Sequence, residues 1–239
     1  MRFIVDVPLV GSGHVSLPPP ALRSELSESM TPLMAAEGIT SLSADPALGP
    51  VIRRVGPIAL KPRRLAPYES LVRAVIHQQL SGKAAATILG RFEERFGAGG
   101  FPTPEAVLGA TDDNLRAAGL SGQKAGYLRG VARAAVDGTL PTLRECGKME
   151  DEAIIETLTR LKGVGRWTVE MFLIFNLGRP DVLPALDLGV RRGFQIAHRR
   201  RQMPEPKVLA RHGARWAPHR TLATLYLWRA ADGAASPSA

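Results

Sequence analysis

Cysteine is almost absent: Cys146 is the only one among 239 residues. That count excludes an internal disulfide, a thiolate zinc site and a four-cysteine iron–sulfur cluster. A reducing address is expected, most simply a bacterial cytoplasm. No apolar run approaches the roughly 20 residues that a membrane-spanning helix needs, and the first residues lack a basic-then-apolar leader pattern, so no membrane is expected as a partner. Aromatic residues make up only 5% of the chain, which makes the place of each of its three tryptophans worth reading. Acidic residues are in deficit, 22 against 31 basic ones, for a formal net charge of +9. Such an excess favours a polyanionic partner. It does not choose one, because a GC-rich genome inflates arginine across a whole proteome. What remains is an ordinary hydrophobic fraction of 45%, in a chain long enough for one large domain or two small lobes.

The most informative stretch is Leu161-Lys162-Gly163-Val164-Gly165-Arg166-Trp167-Thr168-Val169-Glu170. Ile154, Ile155, Leu158 and Leu161 lie before it at helical spacing, and Val169, Phe172, Leu173 and Phe175 resume a helical run after it. Between the two runs, Gly163 and Gly165 can take positive φ and Val164 can plug the gap. The pattern reads as a helix–hairpin–helix whose second helix begins with unpaired backbone N–H groups. Such a start binds phosphate, because the donors and the positive dipole end face the same way. The alternative is a plain helix C-cap followed by another core helix. Asp187 follows Trp167 by twenty positions, delivered by the Pro-bearing loop Pro184-Ala185-Leu186 to the start of another amphipathic helix. It has two readings, a chemical group or an N-cap alone.

Hairpin, loop and aspartate together resemble the helix–hairpin–helix DNA glycosylase superfamily, nearest the 3-methyladenine DNA glycosylase II type, over roughly Leu42 to Ala231. The resemblance implies an all-α fold of two helical lobes, with a DNA-binding and active-site cleft between them. Residues 1–41 would be a short N-terminal extension, 42–66 with 166–239 one lobe, and 67–165 the central lobe leading into the hairpin. It implies that Asp187 is catalytic. Trp167 stands where the bifunctional branch carries its Schiff-base lysine, which implies base excision without strand cleavage. Trp228 matches a tryptophan that lines the base pocket opposite Trp167, and Met171 stands where some relatives have a tyrosine. Stacking and cation–π attraction to an electron-poor alkylated base are worth roughly 0.5–2 kcal/mol per ring. Trp216 reads as core packing. Gly163, Val164, Gly165 and Thr168 would contact the DNA backbone. The implied partner is damaged duplex DNA, bound by a monomer. No cofactor or iron–sulfur cluster is expected, with room only for a monovalent cation at the hairpin.

Taken in order, residues 1–41 are poorly patterned. Met1–Val10 alternates loosely enough for one strand or an arm, and Pro18-Pro19-Pro20 bars regular structure. Asp45-Pro46 reads as a helix entry, with Asp as N-cap and Pro at N1. The next helix is expected over Pro67–Leu80 and ends in His77-Gln78-Gln79-Leu80. In the family a glutamine here fills the space beside the flipped nucleotide. Gln79 is the better match; Gln78 is equally well a solvated helix end. Ser81 caps the following helix, which runs to Phe96, and Lys83 in its first turn opposes the dipole and so reads as a phosphate contact. Short helices follow at 103–108 and 111–118, capped by Thr103 and Thr111. The turn Gly119-Leu120-Ser121-Gly122 opens a helix to Val136. In relatives this turn carries the wedge that enters the base stack; Leu120 is the candidate, with a buried staple as its other reading. Gln123 and Lys124 would face the DNA backbone. Residues 137–149 read as a linker. Arg199-Arg200-Arg201 either steers DNA or is a solvated helix end. Two other function classes share parts of this pattern: a monofunctional glycosylase for other lesions or mismatches, and a non-catalytic helix–hairpin–helix DNA-binding protein. The latter needs neither Asp187 nor paired tryptophans.

Overall fold

The computed structural model describes residues 32–235, and every regular element among them is helical. The strand or arm expected at Met1–Val10 lies outside the described residues. The chain divides into two compact units. A central one is Arg63–Phe172; a terminal one joins residues 32–62 to residues 173–235.

The terminal unit begins with α1 (Pro32–Ser43) and α2 (Leu48–Val55). The aspartate between them is not the N-cap expected of it but stands two residues before the N-cap. Asp45 Oδ1 accepts from the N–H groups of Ala47 (2.8 Å) and Leu48 (3.1 Å), while the N-cap itself is Ala47, without a side-chain cap. Leu48, Val51 and Ile52 form the buried face of α2, as their spacing requires.

The central unit follows with α3 (Pro67–His77), α4 (Gly82–Phe96), α5 (Pro104–Gly109), α6 (Asp112–Ala117) and α7 (Gly122–Val136). Leu71, Val72, Val75 and Ile76 give α3 a fully buried stripe. Ser81, Thr103 and Thr111 cap their helices through their side-chain oxygens, and so does Ser121 at α7. α3 stops at His77, three residues before the expected end, because Gln78 leaves the helical region and Gln79 takes φ of 58°. The linker at 137–149 contains one helical turn, α8 (Leu143–Cys146). It is nucleated by a capping box in which Thr142 and Glu145 bond each other's backbone N–H groups. Next come α9 (Asp151–Leu158) and α10 (Arg166–Met171), which is continued by the π-helical stretch Phe172–Leu177.

The chain re-enters the terminal unit within that stretch, and α11 (Leu188–Ala197), α12 (Pro206–Gly213) and α13 (Arg220–Ala235) complete it. α11 packs on α13 at close quarters. A methyl at Gly193 would overlap the backbone carbonyl of Leu227, so the crossing demands a glycine. Tyr226 on α13 donates its hydroxyl to the Gly56 carbonyl (3.0 Å), tying the last helix to the end of α2. Trp216 is 2% exposed and donates its indole N–H to Asp45 Oδ2 (2.8 Å), consistent with a core role.

Candidate active site and DNA-reading elements

In the terminal unit, the loop from Gly178 to Leu186 is held in place by α13 at several points. Thr221 donates its hydroxyl to the Arg179 carbonyl (2.6 Å) and accepts from the Val182 N–H (3.0 Å). Its own N–H donates to the Pro180 carbonyl (3.0 Å), and Thr224 donates to the Val182 carbonyl (3.2 Å). Arg220 closes the set by gripping Asp181 with two nitrogens, at 2.7 and 2.9 Å. The loop therefore delivers Asp187 to one place. None of these partners stands out in the sequence, where Thr221 and Thr224 look like ordinary residues of an amphipathic helix.

Asp187 is the N-cap of α11 and is 9% exposed. Its Oδ1 accepts from the Val190 N–H (2.7 Å) and from the indole N–H of Trp228 (2.9 Å). The cap reading of Asp187 is thus correct as far as it goes, but a cap alone does not need a buried indole donor. Trp228 corrects the expectation of a stacking wall. It is 4% exposed, one ring face lies on Phe175 (centroids 5.7 Å apart, planes within 16°), and its N–H is used on the carboxylate. Space around the pair is tight: a methyl at Gly189 would come within 3.0 Å of the Trp228 ring and 3.1 Å of Asp187 Oδ1. On either side of the buried carboxylate, Leu186 and Leu188 are exposed, at 56% and 43%. Two exposed leucines bracketing a buried acid escaped the sequence reading, because Leu188 looks like part of an apolar stripe.

In the central unit the hairpin has the expected turn, with one difference. Gly163 takes φ of 89° and its α-carbon lies on the Tyr127 ring, where a methyl would overlap the ring atoms. Gly165 does not use positive φ. It is the N-cap of α10 with φ of −90° and ψ of 166°, has no side-chain cap, and a methyl there would meet nothing within 4 Å. Val164 plugs the turn at 4% exposure. Thr168 (6%) and Met171 (4%) are interior, so Thr168 has only its backbone to offer a phosphate and Met171 does not present a pocket surface. Trp167 is half-buried in the first turn of α10. Arg166 is committed within its own unit, bidentate to Glu152 (2.6 and 2.8 Å) and bonded to Glu170 (3.2 Å).

The remaining predicted contacts separate by exposure. Gln79, Ser81, Lys83 and Gln123 are exposed. Gln79 holds a left-handed conformation that costs a non-glycine residue roughly 1–2 kcal/mol. Gln78 is not a solvated end, since its side-chain amide donates to the Gly163 carbonyl (2.9 Å). Lys124 does not face outward either. Its ammonium donates to the carbonyls of Ile76 (2.7 Å) and Gln78 (2.6 Å), and burial pushes its pKa down to about 8. Leu120 is 3% exposed and so does not present a side chain to DNA here. Leu80, half-buried in the same turn as Gln79, is an apolar side chain that the wedge reading overlooked.

A family model described as HhH-GPD superfamily base excision DNA repair protein matches residues 72–219. The chain belongs to the HhH-GPD superfamily. Among its relatives in the superfamily, the DNA-3-methyladenine glycosylase 1 of Schizosaccharomyces pombe is 45% identical over 163 residues, 68% of this chain and 72% of that one. The DNA-3-methyladenine glycosylase 2 of Escherichia coli is 30% identical over 169 residues, 67% of this chain and 56% of that one. Of solved structures, the S. pombe 3-methyladenine DNA glycosylase (Mag1) in complex with abasic DNA aligns with a TM-score of 0.75 at 39% identity, over 84% of this chain and all of that one. The DNA-3-methyladenine glycosidase of Bacillus halodurans aligns with a TM-score of 0.74 at 40% identity, over 82% of this chain and 89% of that one.

Proposed function

We infer that this HhH-GPD protein is a monofunctional DNA glycosylase of base excision repair, hydrolysing the N-glycosidic bond of alkylated bases such as 3-methyladenine and 7-methylguanine, with ethenoadenine a further candidate. The observation that carries the reading is the buried Asp187 carboxylate, held by a helix N-terminus and by the Trp228 indole. A target base cannot be reached inside a duplex and must be extruded, at a few kcal/mol of unstacking. Its departure leaves an oxocarbenium-like sugar. Asp187 stabilises that cation and orients the attacking water, its field strengthened by burial. The N-terminus of α10, with an uncapped Gly165 open to close approach, suits a DNA phosphate. Gln79 fills the vacated space, its amide offering two donors and an acceptor to the orphaned base. Leu80 beside it is the better wedge, and Ser81, Lys83 and Gln123 reach the backbone.

Strand cleavage is not expected. Trp167 occupies the lysine slot, and the neighbouring Arg166 guanidinium is engaged by Glu152 and Glu170. We further propose a bacterial, cytoplasmic, monomeric enzyme that needs no cofactor. The test is single-turnover excision on duplexes carrying 3-methyladenine, 7-methylguanine, ethenoadenine, hypoxanthine or uracil, run with and without borohydride. Release of the alkylated bases is expected, with abasic product that breaks only after alkali and no trapped covalent complex. Release of uracil alone would move the substrate class to mismatch or deamination repair, and a trapped complex would end the monofunctional reading.

A further inference from the structure

Three segments of the central unit that are far apart in sequence share one small network. The first is the turn after α3, the second the start of α7, the third the hairpin. The last carbonyls of a helix have no donors of their own. At the end of α3 those of Ile76 and Gln78 are taken by the Lys124 ammonium, which also opposes the negative end of the helix dipole. The Gln78 side chain then reaches across to the Gly163 carbonyl, and Gly163 itself rests on the ring of Tyr127, one turn beyond Lys124 on α7. Tyr127 is steadied in turn by the Gln123 amide, which donates to its hydroxyl (2.6 Å). Gln79 stands immediately beside this network, exposed and in the left-handed region. A strained backbone persists only where its surroundings over-determine it, and here the bonds to both backbone and side chain of Gln78 do so.

We propose that Lys124 and Gln78 are positioning residues of the glycosylase. They lock the strained Gln79 turn to the hairpin's Gly163, so that the side chain entering the base stack and the amides gripping the phosphate act as one rigid piece. The proposal rests on the glycosylase reading and on Gln79 as the gap-filling residue. It differs from a general folding role in one respect. A defect in positioning Gln79 matters only when the extruded nucleotide leaves a partner base behind.

The experiment compares Gln78→Ala, Lys124→Met and Gln79→Ala in single-turnover excision of one alkylated base on two duplexes. One has a normal base opposite the lesion and the other an abasic site. On the first, Gln78→Ala and Lys124→Met are expected to slow excision at saturating enzyme about tenfold, with DNA affinity changed less than threefold. On the second, the deficit should shrink to within about twofold. Combining either variant with Gln79→Ala should add nothing further. Because Lys124→Met also strips two buried carbonyls of their donor, Gln78→Ala, which leaves them covered, makes the same comparison if the lysine variant is poorly folded. Equal losses on both duplexes, or losses that multiply with Gln79→Ala, would overturn the proposal. Wild-type enzyme that releases no base from either duplex would instead overturn the glycosylase reading beneath it.

Discussion

Asp187 receives two hydrogen bonds on one oxygen, and the two can be separated by substitution. Asp187→Asn keeps an amide oxygen for both donors and caps a helix about as well, but it removes the charge that we propose faces the developing sugar cation. Excision should fall roughly 10²–10³-fold, the loss seen when one strong electrostatic contact to a transition state is removed. The melting temperature should stay within a few degrees of wild type. The fall should be smaller for cationic 7-methylguanine, whose bond is already weak, than for neutral ethenoadenine. Trp228→Phe keeps an aromatic ring against Phe175 and deletes the N–H together with the rest of the five-membered ring. A hydrogen bond to a charged group is worth about 1.5–3 kcal/mol, so excision should drop roughly 10- to 100-fold. A Trp228→Phe enzyme with wild-type rate would reduce the tryptophan to packing.

At the scale of the hairpin, the two glycines make opposite predictions although they look alike in sequence. Gly163→Ala forces a side chain into positive φ and into the Tyr127 ring. Strain and overpacking together should cost about 2–4 kcal/mol, visible as a lower denaturation midpoint. Gly165→Ala meets ordinary φ and open space, so stability should be unchanged or slightly raised by the lower backbone entropy of the unfolded chain. If a phosphate docks on the start of α10, the new methyl stands in its way. DNA affinity should fall while folding does not. Salt titration checks the cause: a neutral backbone donor releases no counterion, so the slope of log K against log salt should stay near the wild-type value while the affinity falls. A stable Gly165→Ala protein with undiminished affinity would place the phosphate elsewhere.

Across the whole molecule, acid stability follows from histidines in both units. Burial holds His77 down to about 4 in the central unit and His198 down to about 4 in the terminal one, and it lowers His212 as well. An unfolded histidine titrates near 6.5. Between about pH 6.5 and 4 the unfolded chain therefore binds more protons than the folded one, and stability is lost as pH falls through that window. Above pH 6.5 the contribution is complete. With His77 the most deeply buried of the three, melting temperature should drop by about 5 °C or more from pH 7.5 to pH 5. A melting temperature flat over that range would mean that these rings charge without cost in the folded state.

Local periodicity was enough to mark most helices, because an apolar stripe or a Ser/Thr cap is written within a few neighbouring residues. Thr103 and Thr111 cap where expected, and Val164 plugs its turn. The hairpin, the loop and Asp187 were legible for the same reason: they form one contiguous signature, and it led to the superfamily. What local sequence does not carry is the partner of a side chain. Trp228 lies 41 positions from the carboxylate it serves, Lys124 lies 46 from the Gln78 carbonyl, and Gln78 lies 85 from Gly163. In sequence Trp228 and Lys124 face a ligand, and Gln78 faces either a ligand or solvent, because an exposed donor and a committed donor look identical there. Packing decides between them. A buried carbonyl or carboxylate needs a partner at a cost of kcal/mol if none is found, and the tertiary fold brought Trp228, Gln78 and Lys124 to those acceptors.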